Sequence, residues 1–221
     1  MIHVYPRVSK VSPELIETFR TKVSPSTIGH LTDQGFMKSL RSFYSPTKLV
    51  GTALTVRIPH LDSAAVHVAV GEMQPGDVLV VETSGDYQRA CFGGGVMTGV
   101  AARKGAGAVI DGAITDPEQI RPFNLPVYYR QVSPLTTRIV GIEGEVNVPI
   151  AVDNVVVLPG DLILGDESGV MVVPRDQMEE LCRIAAEKDA AEPAIFARIA
   201  EGSLLLADFS GAAKFVVRHG C

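Results

Sequence analysis

Gly93-Gly94-Gly95 leads into Val96-Met97-Thr98, a stretch of helical character, and an apolar run further on ends in Asp111-Gly112-Ala113-Ile114-Thr115-Asp116. Glycines at a helix start leave backbone N–H groups uncovered where the helix dipole favours negative charge. A carboxylate or an enolate suits that position. Asp116 offers the hard oxygen that holds Mg²⁺ or Mn²⁺ alongside waters and substrate oxygens. One β/α unit thus brings an anion-binding loop and a candidate metal ligand to neighbouring ends. Each has a structural reading as well. Asp116-Pro117-Glu118-Gln119 is a sound helix start, with Asp as N-cap, Pro at N1 and Gln at N3. Glycines ahead of a helix also serve close packing. On the residues alone both readings stay open, and a cap leaves one carboxylate oxygen free.

Other chemistry-bearing residues are less coherent. Cys91 lies two residues before the glycines, where Arg89 and a helix start could activate a thiol, but a packed small residue is the favoured reading. Asp111 could support Asp116, or simply make an Asp-Gly turn. His60 and His67 are seven apart, wrong for a compact metal pair, and read as structural. His30 reads as a helix-surface or interface residue.

The elements that must position the central segment follow from pattern and punctuation. A helix is expected over Ser12–Val23, with Ser12 as cap and Pro13 in the first turn, and a short one over Ser26–Leu31. Strands are expected at Gly51–Ile58, Val78–Glu82, Ala108–Ile110 and Val127–Gln131, rich in β-branched residues. Helices are expected at Ser63–Met73, at Gly95–Lys104 with Gly105 as terminator, and at Pro117–Ile120. Further strands are expected at Thr137–Ile142, Val146–Ile150, Asn154–Leu158, Leu162–Gly165 and Gly169–Val173. A C-terminal helix is expected from about Arg175 to Glu201, with Met178, Leu181, Ile184 and Ala185 as its apolar stripe. Nothing of low complexity divides the chain, so one mixed α/β domain is expected, with a helical N-terminal arm and a C-terminal helix.

The 221 residues can bury a real core, and 46% are hydrophobic, with no Trp. Val, Ala, Leu and Ile must build it. A net charge of −5 and the lack of a Lys/Arg-rich run argue against nucleic acid as a partner. No apolar run approaches the ~18–20 residues of a membrane span, and residues 1–7 lack a signal-peptide core. Cys91, Cys182 and Cys221 form neither a disulfide framework nor a metal-ligand spacing, so a reducing cytoplasm is the expected location.

Gly85-Asp86-Tyr87-Gln88-Arg89-Ala90, Gly93 to Val96 and Gly107 to Asp116 together resemble the RraA-like family. That family includes class II 4-hydroxy-4-methyl-2-oxoglutarate aldolases and RNase E activity regulators. The resemblance extends to Gly51–Val56, Pro75–Val81 and Gly160–Arg175, so it covers about residues 25 to 175. It implies a β/β/α swivelling-domain fold, assembly as a homotrimer or a hexamer, and sites between subunits. It also implies retro-aldol cleavage of a 4-hydroxy-2-oxo acid to pyruvate, with oxaloacetate decarboxylation as a side activity and Mg²⁺ or Mn²⁺ as Lewis acid. By position Gly93, Gly94, Gly95 and Val96 match the substrate-binding loop, and Asp116 the metal-anchoring aspartate. Two departures stand out. Thr115 occupies the place of an arginine that would clamp a carboxylate, and Gly94 that of an acidic residue. Arg89-Ala90 matches a family pair of its own and does not replace the arginine. A glutamate from a neighbouring subunit could correspond to Glu187 or Glu192. The expected activity is therefore a metal-dependent lyase on a small 2-oxo acid anion, with a non-catalytic regulator binding a ribonuclease or another protein as the alternative, or another metal-assisted reaction on the same scaffold.

Overall fold

The computed structural model describes residues 1–217 and 219. Its strands are β1 (Ile2–Val4), β2 (Arg41–Ser42), β3 (Leu49–Arg57), β4 (Asp77–Glu82), β5 (Ala90–Phe92), β6 (Gly107–Ile114), β7 (Val127–Val132), β8 (Gly144–Val146), β9 (Ile150–Val152), β10 (Val155–Val157), β11 (Leu162–Asp166) and β12 (Gly169–Val173). Its α-helices are α1 (Pro13–Lys22), α2 (Pro25–Gly29), α3 (Ala64–Glu72), α4 (Gly94–Ala102), α5 (Pro117–Ile120), α6 (Met178–Ala200) and α7 (Leu206–Ser210). Among the described residues no helix is long and apolar enough to cross a membrane.

A mixed sheet runs in the order β1-β8-β3-β4-β6-β7-β2, with β5 beside β6 and the β11–β12 hairpin beside β3. The central pairs β3–β4, β4–β6 and β6–β7 are parallel, and β11 runs antiparallel to β3. Strand alternation sorts the core. Leu79, Val81, Ala108 and Ile110 face α3 and α4, meeting Val66, Ala69, Met97 and Val100. Val78, Val80 and Val109 face the opposite way, against Val148, Val152 and Ile163. A third cluster joins α1, α2 and α6 to the hairpin through Phe19, Ile28, Met171 and Cys182. Buried on both faces, β4 and β6 read as continuous apolar runs, as parallel strands do.

Several expectations need correction. Thr137–Ile142 is not a strand. It makes one isolated bridge, Asp62 with Arg138, because the Asp62 carboxylate takes the Val140 and Ile142 amides that a ladder would need. Val146–Ile150 splits between β8 and β9 where Asn147 turns left-handed, φ 62°. The residue that ends α4 is Lys104, φ 56°, not Gly105. Gly105 is instead required by packing, since a Cβ there would lie 2.7 Å from Met73 Cε. The helix α4 starts at Gly94, one residue early, and α6 starts at Met178, later than Arg175. The short strands β1, β2 and β5 were not anticipated. Ser12 does cap α1, accepting from the Leu15 amide at 3.3 Å, while α2 begins at Pro25 with Ser24 as its cap.

Candidate functional site

The buried strand β6 delivers Thr115 and Asp116 at its C-terminal end. The Thr115 amide donates to Phe92 O at 2.8 Å, tying this end to β5. Asp116 then turns left-handed, φ 54° and ψ 50°, a conformation Asp tolerates better than most side chains. The turn decides what its carboxylate does. Asp116 begins α5 through its backbone carbonyl, which accepts from Gln119 N at 2.9 Å and Ile120 N at 3.1 Å. Its side chain makes no cap bond to α5, so the expected side-chain N-cap is corrected. The carboxylate turns to another helix: Oδ2 accepts from the Gly94 amide at 3.3 Å, and Oδ1 from the Thr115 hydroxyl at 3.2 Å.

Two of the three glycines are fixed by this approach. A Cβ on Gly93 would lie 2.6 Å from Asp116 Oδ2 and 2.7 Å from Thr115 Cγ2. A Cβ on Gly94 would lie 2.7 Å from Gln119 Cβ. Gly95 faces open space. Gly95 and Val96 belong to the first turn of α4, whose amides have no intrahelical acceptor and sit at the positive end of the dipole. The glycines thus permit close packing, and that packing is what seats a carboxylate on the helix start.

Gly93, Gly95, Val96, Thr115 and Asp116 line one shallow depression of ≈ 240 Å³, together with Ser63, His67, Thr136, Thr137 and Ile139. A larger cavity of ≈ 640 Å³, between residues 33–39 and 153–156, contains none of these groups. The wall opposite Asp116 comes from α3 and from the segment after β7. His67, expected to be structural, is exposed on α3 and lines the depression. The signal for it was its spacing of four from Ser63, which puts both on one helix face. Thr136 and Thr137 carried no sequence signal, because a non-local bridge to Ala90 places them. No Lys or Arg lines the depression.

Of the remaining candidates, Cys91 borders the depression and the others lie elsewhere. Asp111 is 7% exposed at its side chain and pairs with Arg130, Nε to Oδ1 2.6 Å, which also holds Asp153 at 2.8 Å. Tyr87 stacks on that guanidinium at 4.0 Å. Burial pushes the Asp111 carboxyl up despite the Asp153 amide and Arg130. Burial also opposes charge on Asp153, but Ser39 and Arg130 outweigh it and hold that carboxyl below its usual range. Cys91 is buried, and desolvation pushes its thiol up to about 12, so it is a packed side chain. Arg89 sits behind the wall, with Nε 3.5 Å from the Asp86 carboxylate and Nη1 donating to Thr136 O at 3.5 Å. His60 is exposed, 3.8 Å from Asp86, and His30 is exposed at the end of α2. Glu187 pairs with Arg183 on α6, and neither it nor Glu192 lines the depression.

Among the described residues no three His, Cys, Asp or Glu side chains gather as a metal cluster. The chain brings one carboxylate to the depression. Asp116 is exposed and each oxygen carries a single long hydrogen bond, so lone pairs remain for a hard cation that keeps most of its waters. The donor set fits Mg²⁺ or Mn²⁺.

Residues 22–172 match the profile of the RraA-like family, described as Aldolase/RraA. The chain belongs to the RraA-like family. A putative 4-hydroxy-4-methyl-2-oxoglutarate aldolase of Halalkalibacterium halodurans is 35% identical over 190 residues, covering 85% of this chain and 89% of the relative. The 4-hydroxy-4-methyl-2-oxoglutarate aldolase of Thermus thermophilus is 34% identical over 135 residues, covering 61% of this chain and 80% of the relative. Among solved structures, Streptomyces coelicolor RraAS2, described as an unusual member of the RNase ES inhibitor RraA protein family, superposes with a TM-score of 0.74 at 26% identity. That match covers 87% of this chain and 99% of RraAS2. The RraA-like fold is thus as the resemblance implied, and the mixed α/β class as the residues implied.

Proposed function

We propose that this RraA-like protein is a divalent-metal-dependent carbon–carbon lyase that cleaves a small 4-hydroxy-2-oxo acid, or a related 2-oxo acid anion, and releases pyruvate. The observation that carries the reading is the Asp116 carboxylate lying on the first amide of α4. It brings a cation ligand and an anion-binding helix start into one depression. The aldolase names of the Halalkalibacterium halodurans and Thermus thermophilus relatives support it.

The residues divide the work by their chemistry. The Gly95 and Val96 amides bind and orient the substrate carboxylate by dipole and hydrogen bonding. Asp116 would hold the cation, with the Thr115 hydroxyl fixing one of its oxygens. When bound, the cation supplies Lewis-acid stabilisation of the charge that develops on the 2-oxo oxygen as the carbon–carbon bond breaks. His67, which lines the depression, would orient the 4-hydroxyl and take up its proton. The apolar side chains left exposed beside the depression, Leu135, Ile139 and Val140, suit burial between copies in a homotrimer or hexamer. The proposed location is the cytoplasm.

Calorimetry with Mg²⁺ and Mn²⁺ tests the cation. Binding by the wild type that Asp116→Ala abolishes supports the lyase. A second reading, a protein-binding regulator, draws on the fold shared with RraAS2 and on the absence of a guanidinium in the lining. Cation titrations identical for wild type and Asp116→Ala favour it.

A further inference from the structure

Asp62 is fully buried, and among the described residues no Lys, Arg or His lies within ion-pair distance of it. A carboxylate without a cation needs a full set of hydrogen bonds to stay ionised in an apolar interior. Backbone amides supply it. Oδ1 accepts from Ala64 N at 2.9 Å and Val140 N at 3.2 Å, and Oδ2 from Ile142 N at 2.5 Å. One donor comes from the start of α3. The other two come from a segment 78 and 80 residues further along the chain.

That segment is a strap with no helix or strand of its own. Ser63 N donates to Arg138 O at 2.9 Å, and Arg138 N to Leu61 O at 2.7 Å. The Thr137 hydroxyl bonds the Ser63 hydroxyl at 2.8 Å. Ile139, Val140 and Ile142 are exposed, so no apolar burial within the chain holds the strap's far half. Yet Thr136, Thr137 and Ile139 line the depression that holds Asp116, and Ser63 and His67, on and just before α3, line it too. Asp62 joins those two parts of the wall.

We propose that Asp62 is a positioning residue: its carboxylate fixes the 136–142 strap against α3 and so sets the substrate-side wall of the site. The proposal rests on the lyase reading for its kinetic consequence and on geometry alone for the strap. An amide cannot substitute for the carboxylate, because the NH2 end that takes the place of Oδ2 donates and faces the Ile142 amide, which also donates. Asp62→Asn keeps the Ala64 and Val140 contacts through its oxygen and loses the Ile142 bond, which frees the far end of the strap.

The test compares wild type and Asp62→Asn by amide hydrogen exchange, by calorimetry with Mg²⁺ plus oxalate (a planar anion of the shape of the pyruvate enolate), and by turnover. Exchange at Ile142, whose acceptor Oδ2 becomes a donor, is expected to rise at least about tenfold while β4 and β6 stay protected. Oxalate affinity is expected to fall about tenfold, and KM to rise about tenfold with kcat changed less than about twofold. Faster exchange with unchanged oxalate affinity and KM would make Asp62 merely structural and overturn the proposal. Unchanged exchange overturns it as well. If the wild type turns over nothing yet binds oxalate, and Asp62→Asn weakens it, the lyase reading fails and the strap stands. If the wild type does not bind oxalate either, both fall. Should Asp62→Asn fail to fold, wild-type exchange decides: Val140 and Ile142 must exchange at least about tenfold more slowly than Ile139, and slow further with Mg²⁺ and oxalate. Equal rates overturn the proposal.

Discussion

Asp116 Oδ2 accepts from the Gly94 amide at 3.3 Å, a contact between the end of β6 and the start of α4 across 22 residues of chain. It ties the carboxylate to an anion-binding helix start, and it requires residues 93 and 94 to lack side chains. The single long bond on each Asp116 oxygen leaves lone pairs open for a cation.

The glycines separate by this relationship. Gly93→Ala places a methyl 2.6 Å from Asp116 Oδ2. It should displace the carboxylate and lower kcat/KM by about 10- to 100-fold, since small misplacements of reacting groups are that costly. Gly95→Ala meets nothing within 4 Å. It should leave the Asp116 carboxylate in place, so that the cation still binds, and raise stability by about 0.5–1 kcal/mol, the usual gain of Ala over Gly in a helix. Steady-state kinetics for Gly93→Ala, with Mg²⁺ calorimetry and urea unfolding of the pair, check this, and equal loss of cation binding in the two would contradict it.

Thr115 sets the charge of the site. No guanidinium lines the depression, so a second substrate carboxylate has no cationic side chain to meet there. Thr115→Arg should raise kcat/KM on 4-hydroxy-4-methyl-2-oxoglutarate by roughly 10- to 100-fold, the worth of a charge-assisted bond of about 1.5–3 kcal/mol. A fall or no change on that substrate, with the fold intact, would show that residue 115 does not limit it.

The Arg130 triad carries stability rather than chemistry. Arg130→Met leaves Asp111 and Asp153 as buried, unpaired carboxylates, which should cost about 3–5 kcal/mol. Without the guanidinium both folded-state carboxyl groups rise. A raised carboxyl weighs against folding at pH above its unfolded value, and that penalty fades as pH falls through its folded value. The deficit should therefore shrink from about pH 7 to about pH 5, as urea unfolding at the two conditions will show.

Cys91 offers a simpler check of the packing. Its thiol, pushed up to about 12 by burial, is almost wholly un-ionised near pH 8, and the thiolate is the reactive form. Iodoacetamide should leave Cys91 unlabelled in the native protein and label it after unfolding, read peptide by peptide in a mass spectrometer. Rapid native labelling would mean that the β5–α4 junction opens.

Much of this was legible in the residues. The runs at residues 78–82 and 108–110 announce strands buried on both faces, and Ser12-Pro13 and Asp116-Pro117 announce helix starts, because propensity and punctuation act locally. What escaped depends on distant partners. The orientation of the Asp116 carboxylate is set by the left-handed turn and by Gly94, not by its own helix. The strap over residues 137–142 has β-branched residues at strand spacing, yet one buried aspartate far earlier in the chain claims its amides. Thr136, Thr137 and His67 join the depression only once β5 and α3 are in place. Resemblance to the family named the central residues; the geometry added how they touch.

Asp116 and the α4 amides are proposed as a metal-dependent lyase site. Its most direct test is pyruvate release from 4-hydroxy-4-methyl-2-oxoglutarate and from oxaloacetate, with Mg²⁺ or Mn²⁺ and with chelator, by wild type and Asp116→Ala. Cation-dependent pyruvate release is expected from the wild type, lost with chelator and lowered at least about 100-fold in Asp116→Ala. Release that is equal in the two proteins, or none above buffer from a folded wild type with either substrate, would contradict it.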